Sequence, residues 1–473
     1  MKLPKGWAET TLGDVAYFIM GQAPPGSACN TIGEGTPFVK AGEFGLPRPL
    51  IREWTTKPLK LARTDDVLIC VVGATAGKLN LGADCAIGRS VAAIRPTAAT
   101  EASFLYPRLQ LDVARLRSAS TGTAQGVISK EILAGVTIAL PPATEQRRIV
   151  AKLDALTTCI ARARAELDRV PVLAESLRQA ASTAAFTGML TAEWRATNSE
   201  LVQSDDELEA AVARIAASKR KKPVAAIDWK PDLEIPTSWR WVSVDQVIAV
   251  AQYGTSSKTS DNADEVPVLR MGNVQNGELD WTNLKYLPSD HDEFPDLLVS
   301  TGDVLFNRTN SFELVGKSAV FRGNPAPVSF ASYLIRLRCS GIAPDLLVRY
   351  LNSPIGRAWI GRVASQQVGQ ANVNGTKLKS LGIPLPPVGE QAEMNRLLTL
   401  AFARADRLES EAVRARTLLD RLESSILAKA FRGELVPQDD NDEPASVLLD
   451  RVREERAANQ KKTRTFRKSS AHV

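Results

Sequence analysis

At 473 residues, 44% hydrophobic and 24% charged, the chain has the make-up of an ordinary globular protein, with length for about three domains. A net charge of +6 suits a polyanionic partner, whereas two histidines, His291 and His472, exclude a His-rich metal site and argue against Ser-His-Asp machinery. No apolar run nears the roughly 18 residues of a membrane span. With no secretory core after Met1-Lys2-Leu3-Pro4-Lys5 and five scattered cysteines that form no CxxC pair, the chain reads as cytosolic with reduced, mostly buried thiols.

In chain order, residues 1–142 read as a strand-rich globular domain, with runs such as Asp66-Val67-Leu68-Ile69-Cys70-Val71-Val72 bounded by Gly, Pro, Asp and Thr. Residues 143–195 read as a long helix that starts after Leu140-Pro141-Pro142, carries Glu145 in its first turn, and stops at Gly188. Its apolar residues alternate in steps of four and three (Ile149, Leu153, Leu156, Ile160, Ala163, Leu167, Val170, Ala174, Leu177, Ala181, Ala184), the seam of a left-handed coiled coil. Pro171 lies inside that seam and should kink or interrupt the helix. Residues 196–234 are a polar linker whose run Ser218-Lys219-Arg220-Lys221-Lys222 reads as a solvated helix end.

Residues 235–388 then repeat the globular pattern, 389–435 repeat the helix, and 436–473 are a polar C-terminal segment. Leu140-Pro141-Pro142-Ala143-Thr144-Glu145-Gln146 returns as Leu385-Pro386-Pro387-Val388-Gly389-Glu390-Gln391, a shift of 245. Ala185-Phe186-Thr187-Gly188 returns as Ala430-Phe431-Arg432-Gly433 at that same shift. A seam through Met394, Leu398, Ala401, Ala405, Leu408, Ala412, Ala415, Leu419, Leu422 and Ile426 faces the first. Equal spacing between the two anchors means the helical segments carry no insertion or deletion. That strictness suits a rigid spacer, because each added helical residue moves everything beyond it by about 1.5 Å and 100°. Trp7 and Trp239, Asp66 and Asp303, and Gly77-Lys78 and Gly316-Lys317 match at offsets of 232, 237 and 239, so the globular parts have drifted while the helices have not. The fold class is α+β: two strand-rich globes in pseudo-twofold tandem repeat, separated by two long antiparallel coiled-coil helices, a pseudo-dimer in one polypeptide.

Catalytic signals are missing. Gly73-Ala74-Thr75-Ala76-Gly77-Lys78-Leu79 is one residue short of a phosphate-binding loop and has Leu79 where magnesium needs Ser or Thr, so it reads as a tight turn between strands. There is no GxGxxG after a strand, no Asn-Pro-Pro-aromatic or Asp-Pro-Pro-Tyr stretch, and no nuclease-like carboxylate cluster. The chain reads as a reader and not a catalyst. Candidate contacts to phosphates or base edges are Lys40, Thr75, Lys78, Arg89, Ser90 and Gln125 in the first globe. Arg270, Asn273, Arg308, Thr309, Asn310, Lys317 and Gln370 are the candidates in the second. The charge is uneven: residues 1–142 hold 15 Lys+Arg against 11 Asp+Glu, residues 223–388 hold 15 against 16. The second globe must therefore bind with a local patch.

The starts Leu3-Pro4-Lys5-Gly6-Trp7 and Ile235-Pro236-Thr237-Ser238-Trp239 resemble the domain starts of the specificity subunit of Type I restriction–modification systems. So do Asp65-Asp66-Val67-Leu68 and Gly302-Asp303-Val304-Leu305, the two Leu-Pro-Pro-x-x-Glu-Gln motifs and the two Ala-Phe-x-Gly-x-Leu helix ends, across the whole chain and in the family's order. The resemblance implies two target-recognition domains, each reading one half of a split site on double-stranded DNA, with the helices fixing the unread gap. It implies docking of two methyltransferase subunits that bring S-adenosylmethionine and methylate adenine, and of two motor-nuclease (restriction) subunits that use ATP and Mg2+. No cofactor is expected on this chain itself. Pro171, and Ala124 and Gly126 around Gln125, depart from the family's pattern. The rival reading is a duplicated coiled-coil protein-interaction scaffold without DNA binding, and a third is a self-sufficient enzyme.

Overall fold

The computed structural model describes residues 3–119, 126–198, 224–275, 277–325, 327–367 and 370–469, with residues 210 and 213 between them. Gln125 and the Ser218–Lys222 run lie outside the described residues. Two compact units are formed, residues 1–168 with 413–473 and residues 169–412. Both boundaries fall inside the long helices, so each unit owns one globular head and part of both helices.

The heads share a central sheet. In the first unit a four-stranded antiparallel sheet runs in the order Ala16–Met20, Val91–Pro96, Val67–Cys70, Leu79–Leu81. In the second the order is Ile248–Tyr253, Leu334–Cys339, Asp303–Asn307, Ser318–Val320. A ribbon joins each head's first strand to its last: Ala8–Thr11 with Thr137–Leu140, and Arg240–Ser243 with Gly382–Leu385. The Asp-Val-Leu motifs are explained by a lock on this sheet. Asp66, fully buried, accepts from the Arg63 amide and holds the Arg95 guanidinium of the adjacent strand at 2.8 Å. Asp303 does the same with the Ser300 amide and Arg338. A buried charge is tolerated only when paired in this way, so the lock pins the register of two central strands. The Gly73 stretch is a 3-10 turn between strands, as its glycines suggested.

The long helices span Ala143–Phe186 and Val388–Ala430, each about 65 Å long. Their shared starting motif has a physical cause. Glu145 takes the Trp7 indole N–H at 3.0 Å, and Gln146 donates to the carbonyls of Pro141 and Ala99. Glu390 takes the Trp239 indole at 2.9 Å, and Gln391 donates to Pro386 and Gly341. Pro171 does not interrupt the first helix, which continues through it. Its ring is exposed, and the packing of the next turn at Ala174 outweighs the one backbone hydrogen bond that proline cannot make.

The helix ends exchange heads. Phe186 lies in the core of the second unit with Trp239 and Tyr350, and Gly188, at φ +77°, packs against Pro236. Phe431 lies in the core of the first unit against Phe104, and Gly433, at φ +76°, packs against Pro4. Only glycine holds that left-handed conformation without strain, and a Cβ at either place would collide with the proline ring. Each repeat thus closes its helix on the start of the other repeat.

Within the first unit the helices run antiparallel: Arg164 binds Asp420 at 2.6 Å and Glu423 at 2.7 Å, and Asp168 meets Arg416. Within the second, Arg178 binds Asp406 at 2.6 Å and Glu409 at 2.8 Å. Shifting Arg164 and Arg178 by 245 gives Glu409 and Glu423. Two first helices facing each other would oppose arginines, and two second helices would oppose glutamates. The charges therefore select the unlike pairing. Most of the expected seam is buried or half-buried, but Ala163, Leu177, Leu408 and Leu422 stand exposed, because two helices cover only part of each stripe. The C-terminal segment, expected to be a polar tail, forms a helix over Ala445–Ser469. Ala445, Leu449 and Val452 bury against the first head, and Arg456 hooks the carbonyls of Gly13 and Ala16 while its guanidinium covers Tyr17. No helix among the described residues is long and apolar enough to cross a membrane.

Candidate nucleic-acid interface

In the second head the strand Asp303–Asn307 ends at Arg308, and the chain turns into a two-residue strand, Thr309–Asn310. That strand pairs with Gln370–Asn372, which pairs in turn with Ser365–Gln367, so Arg308, Thr309, Asn310 and the Gln370 backbone come together from distant sequence. The Arg308 guanidinium lies 4.9 Å from the ring centre of Tyr253, at the end of the strand Ile248–Tyr253. The Tyr253 hydroxyl is fixed in turn by the Gly375 amide at 2.8 Å. One Arg308 terminal nitrogen donates to the Ser332 carbonyl at 3.3 Å, the other to Asn372 Oδ1 at 3.4 Å, and Nε is buried with no partner among the described residues. Asn372 also donates to Thr309 Oγ1 at 3.0 Å. Asn310 and Asn307 both reach the Met271 carbonyl, which brings the Arg270 turn alongside. Lys317 touches Gln275 at 3.4 Å.

Asn273 turns the other way. It is 4% exposed, its Oδ1 accepts from the Arg270 amide, and its Nδ2 donates to the carbonyls of Asp280 and Thr282. The whole amide holds its own loop together, so Asn273 positions Arg270 and presents nothing outward.

In the first head the candidates also converge. The Ser90 hydroxyl accepts from the Ala41 amide, beside Lys40, and the Ser90 carbonyl accepts from Val71. Gly73 donates to the Gly126 carbonyl, and Lys78 donates to Thr75. Lys40, Ser90, Thr75, Lys78 and the residue after Gln125 therefore share one neighbourhood, with Arg89 exposed next to Ser90. Lys40 binds the Glu53 carboxylate at 2.7 Å, and that ion pair holds its ammonium above the ordinary lysine range.

The locks allow the two sites to be overlaid. Counting five residues from the lock aspartate gives Arg308 in one head and Val71 in the other, and both carbonyls accept the equivalent amide, from Val373 and Ile128. The preceding residues are Asn372 and Val127, and Thr309 corresponds to Val72. Counting back three from the lock arginine gives Ile335 and Ala92, whose strand partners are Tyr253 and Met20. One place thus holds Tyr, Arg, Thr and Asn in the second head and Met, Val, Val and Val in the first, with Val127 43% exposed. Tyr253 and Asn372 were missed in the sequence. A comparison of the repeats at the 245 shift flags Asn372 against Val127, but Tyr253 sits at a strand end beyond any motif.

A family model described as the Type I restriction modification DNA specificity domain matches the chain twice, over residues 4–171 and 236–411. The chain is 26% identical to the Type I restriction enzyme EcoKI specificity subunit of Escherichia coli K12, covering 99% of both. It is likewise 26% identical to the StySPI specificity subunit of Salmonella potsdam, covering 96% of both. Among solved structures it resembles a chain from a study of complex assembly and conformational transition in a type I R-M system, with a TM-score of 0.65 and 20% identity over 92% of this chain and all of that one. The crystal structure of the HsdS subunit from Thermoanaerobacter tengcongensis gives a TM-score of 0.57 and 20% identity, covering 92% of this chain and 99% of that one. At such identities these likenesses speak for the fold: two recognition-type heads in tandem with long helices.

Proposed function

The chain belongs to the Type I restriction modification DNA specificity family, as a specificity subunit, and from that premise we propose that each head reads one half of a split site on double-stranded DNA. The observation that carries this reading is the gathering of scattered basic and amide side chains into one neighbourhood per head: Lys40, Thr75, Lys78, Arg89 and Ser90 in the first, Arg270, Arg308, Thr309, Asn310 and Lys317 in the second. Lysines and exposed arginines there neutralise phosphates, and planar groups reach base edges. The long helices set the unread gap, and their exposed seam leucines, Leu177, Leu408 and Leu422, receive methyltransferase subunits. Those subunits carry S-adenosylmethionine and methylate an adenine turned out of the stack. Motor-nuclease subunits with ATP and Mg2+ complete the restriction form. In this division of labour the chain is the non-catalytic member and supplies address, orientation and distance.

Two experiments test the reading. Duplex binding by the chain with its methyltransferase partner should weaken steeply with salt, log K falling by about 0.9 per phosphate contacted. Salt-independent binding, or none, favours the protein scaffold. Adding one heptad to each helix should change the length of the unread gap in the methylated motif and leave both half-sites as they were. An unaltered gap removes the helices from their measuring role.

A further inference from the structure

The polar site of the second head carries more than a general affinity for DNA. We infer that Arg308, held over the Tyr253 ring and flanked by Asn372, reads a guanine in the half-site of the second head, and that the first head has no hydrogen-bonding side chain at the equivalent position. This rests on the DNA-reading function proposed above and assigns base chemistry to it.

The geometry supports the assignment. Guanine offers two acceptors, O6 and N7, side by side in the major groove, and the planar fork of arginine is their best match. Such a fork discriminates only if its plane is fixed beforehand, because a freely rotating side chain loses entropy on binding. Arg308 is fixed three ways: by the Tyr253 ring below it, by Ser332 and Asn372 at its two terminal nitrogens, and by backbone bonds at its own N–H and C=O. Tyr253 is itself pinned by the Gly375 amide, so the platform does not drift. The holding contacts at the nitrogens are long, 3.3 and 3.4 Å, and each nitrogen has a second proton for a base. In the first head the corresponding place is apolar: Val71 is buried in the core, Met20 and Val72 pack against it, and only Val127 of the four is exposed, so no side chain there offers a strong donor or acceptor to a base edge. Arg308 is therefore a specificity-determining residue, and Tyr253 its positioning residue.

The test is selection of bound duplexes from a random pool by the full chain with its methyltransferase partner, compared with Arg308→Ala, Arg308→Lys and Tyr253→Leu. The wild type should enrich a split motif with a guanine fixed in one half. Arg308→Ala should relax that one base pair by roughly 5- to 150-fold and leave the other half-site unchanged. Arg308→Lys keeps the charge and fills the space but lacks the fork, so it should retain affinity for unrelated duplexes and lose the same guanine. Tyr253→Leu should blur that position partially. A motif left intact by Arg308→Ala and Arg308→Lys, or a loss of affinity spread evenly over all sequences, overturns the assignment while the DNA-reading function stands. A wild-type chain that enriches no split motif overturns both.

Discussion

The two heads are alike where side chains lock the central sheet and unlike at the end of that sheet, where one head is polar and the other apolar. Asp66 and Asp303 clasp equivalent arginines, Arg95 and Arg338, on equivalent strands, and Trp7 and Trp239 donate to equivalent glutamates, Glu145 and Glu390, at the starts of the two long helices. Yet on the edge those locks support, Tyr253, Arg308, Thr309 and Asn372 stand where Met20, Val71, Val72 and Val127 do. The register of a sheet depends on a few buried pairs, and once those are fixed the edge residues are free to differ. Such a scaffold allows two different surfaces to be displayed on one kind of central sheet. A further difference lies beneath the surface. Glu390 is bound by the cation Arg195 as well as by Thr191 and Trp239, whereas the hydrogen bonds to Glu145 among the described residues come from neutral donors, Trp7 and Gln438, and Arg148 acts on it through its charge alone.

The largest test of shared scaffolding is removal of the lock. Asp66→Ala or Asp303→Ala should each lose about 3–5 kcal/mol, because a guanidinium in the sheet is left without its counter-charge. Thermal or urea unfolding of the two variants reads this out, and a loss below about 1 kcal/mol would mean the lock is incidental. The glutamates should separate the heads. Glu390→Ala, which strands a cation, should cost about 3–5 kcal/mol, and Glu145→Ala, which strands neutral donors, about 1–3 kcal/mol. Equal costs would erase that difference.

The helix charges come next. Arg178→Glu should destabilise the pair by about 1 kcal/mol, since Asp406 is largely exposed and the pairs are partly screened, and Glu409→Arg in the same chain should restore most of it. Additive losses would show that the charges do not select the partner helix. The smallest effect concerns pH. Burial pushes the Glu145 carboxyl above its ordinary value, against the opposing Trp7 hydrogen bond. The folded state thus holds this proton more tightly than the unfolded chain, a contribution present at low pH and lost as pH rises through the raised value. Glu145→Gln does not titrate, so its Tm relative to wild type should climb as pH goes from about 4 to about 7. A flat difference would place the carboxyl in a wetter site than the structure gives it.

Much of the architecture could be read from repetition. The shift of 245 between the Leu-Pro-Pro-x-x-Glu-Gln motifs is legible because equal helix lengths leave equal spacing, and the seam is legible because packing demands its period. The exchange of helix ends was hidden: Phe186 and Phe431 read as repeated helix-end residues, but which head buries them depends on long-range packing alone. Pro171 misled because a propensity rule was overridden by a helix stabilised on both sides. The C-terminal helix was hidden by its many charges, with Leu449 and Val452 too few to announce a face. At the site, Lys40 and Arg308 stood out by residue type, while Asn273 looked like a reader because its inward hydrogen bonds leave no trace in sequence. Tyr253 was overlooked because its role comes from a neighbour 55 positions away.

Whether two heads with different surfaces read one split site is decided by sequencing the methylated motif in DNA from cells that express this chain with its methyltransferase partner. The motif should consist of two unrelated short half-sites around an undefined centre of fixed length, with a guanine set in one of them. A continuous motif, two identical half-sites, or no methylation dependent on this chain would contradict the split-site reading.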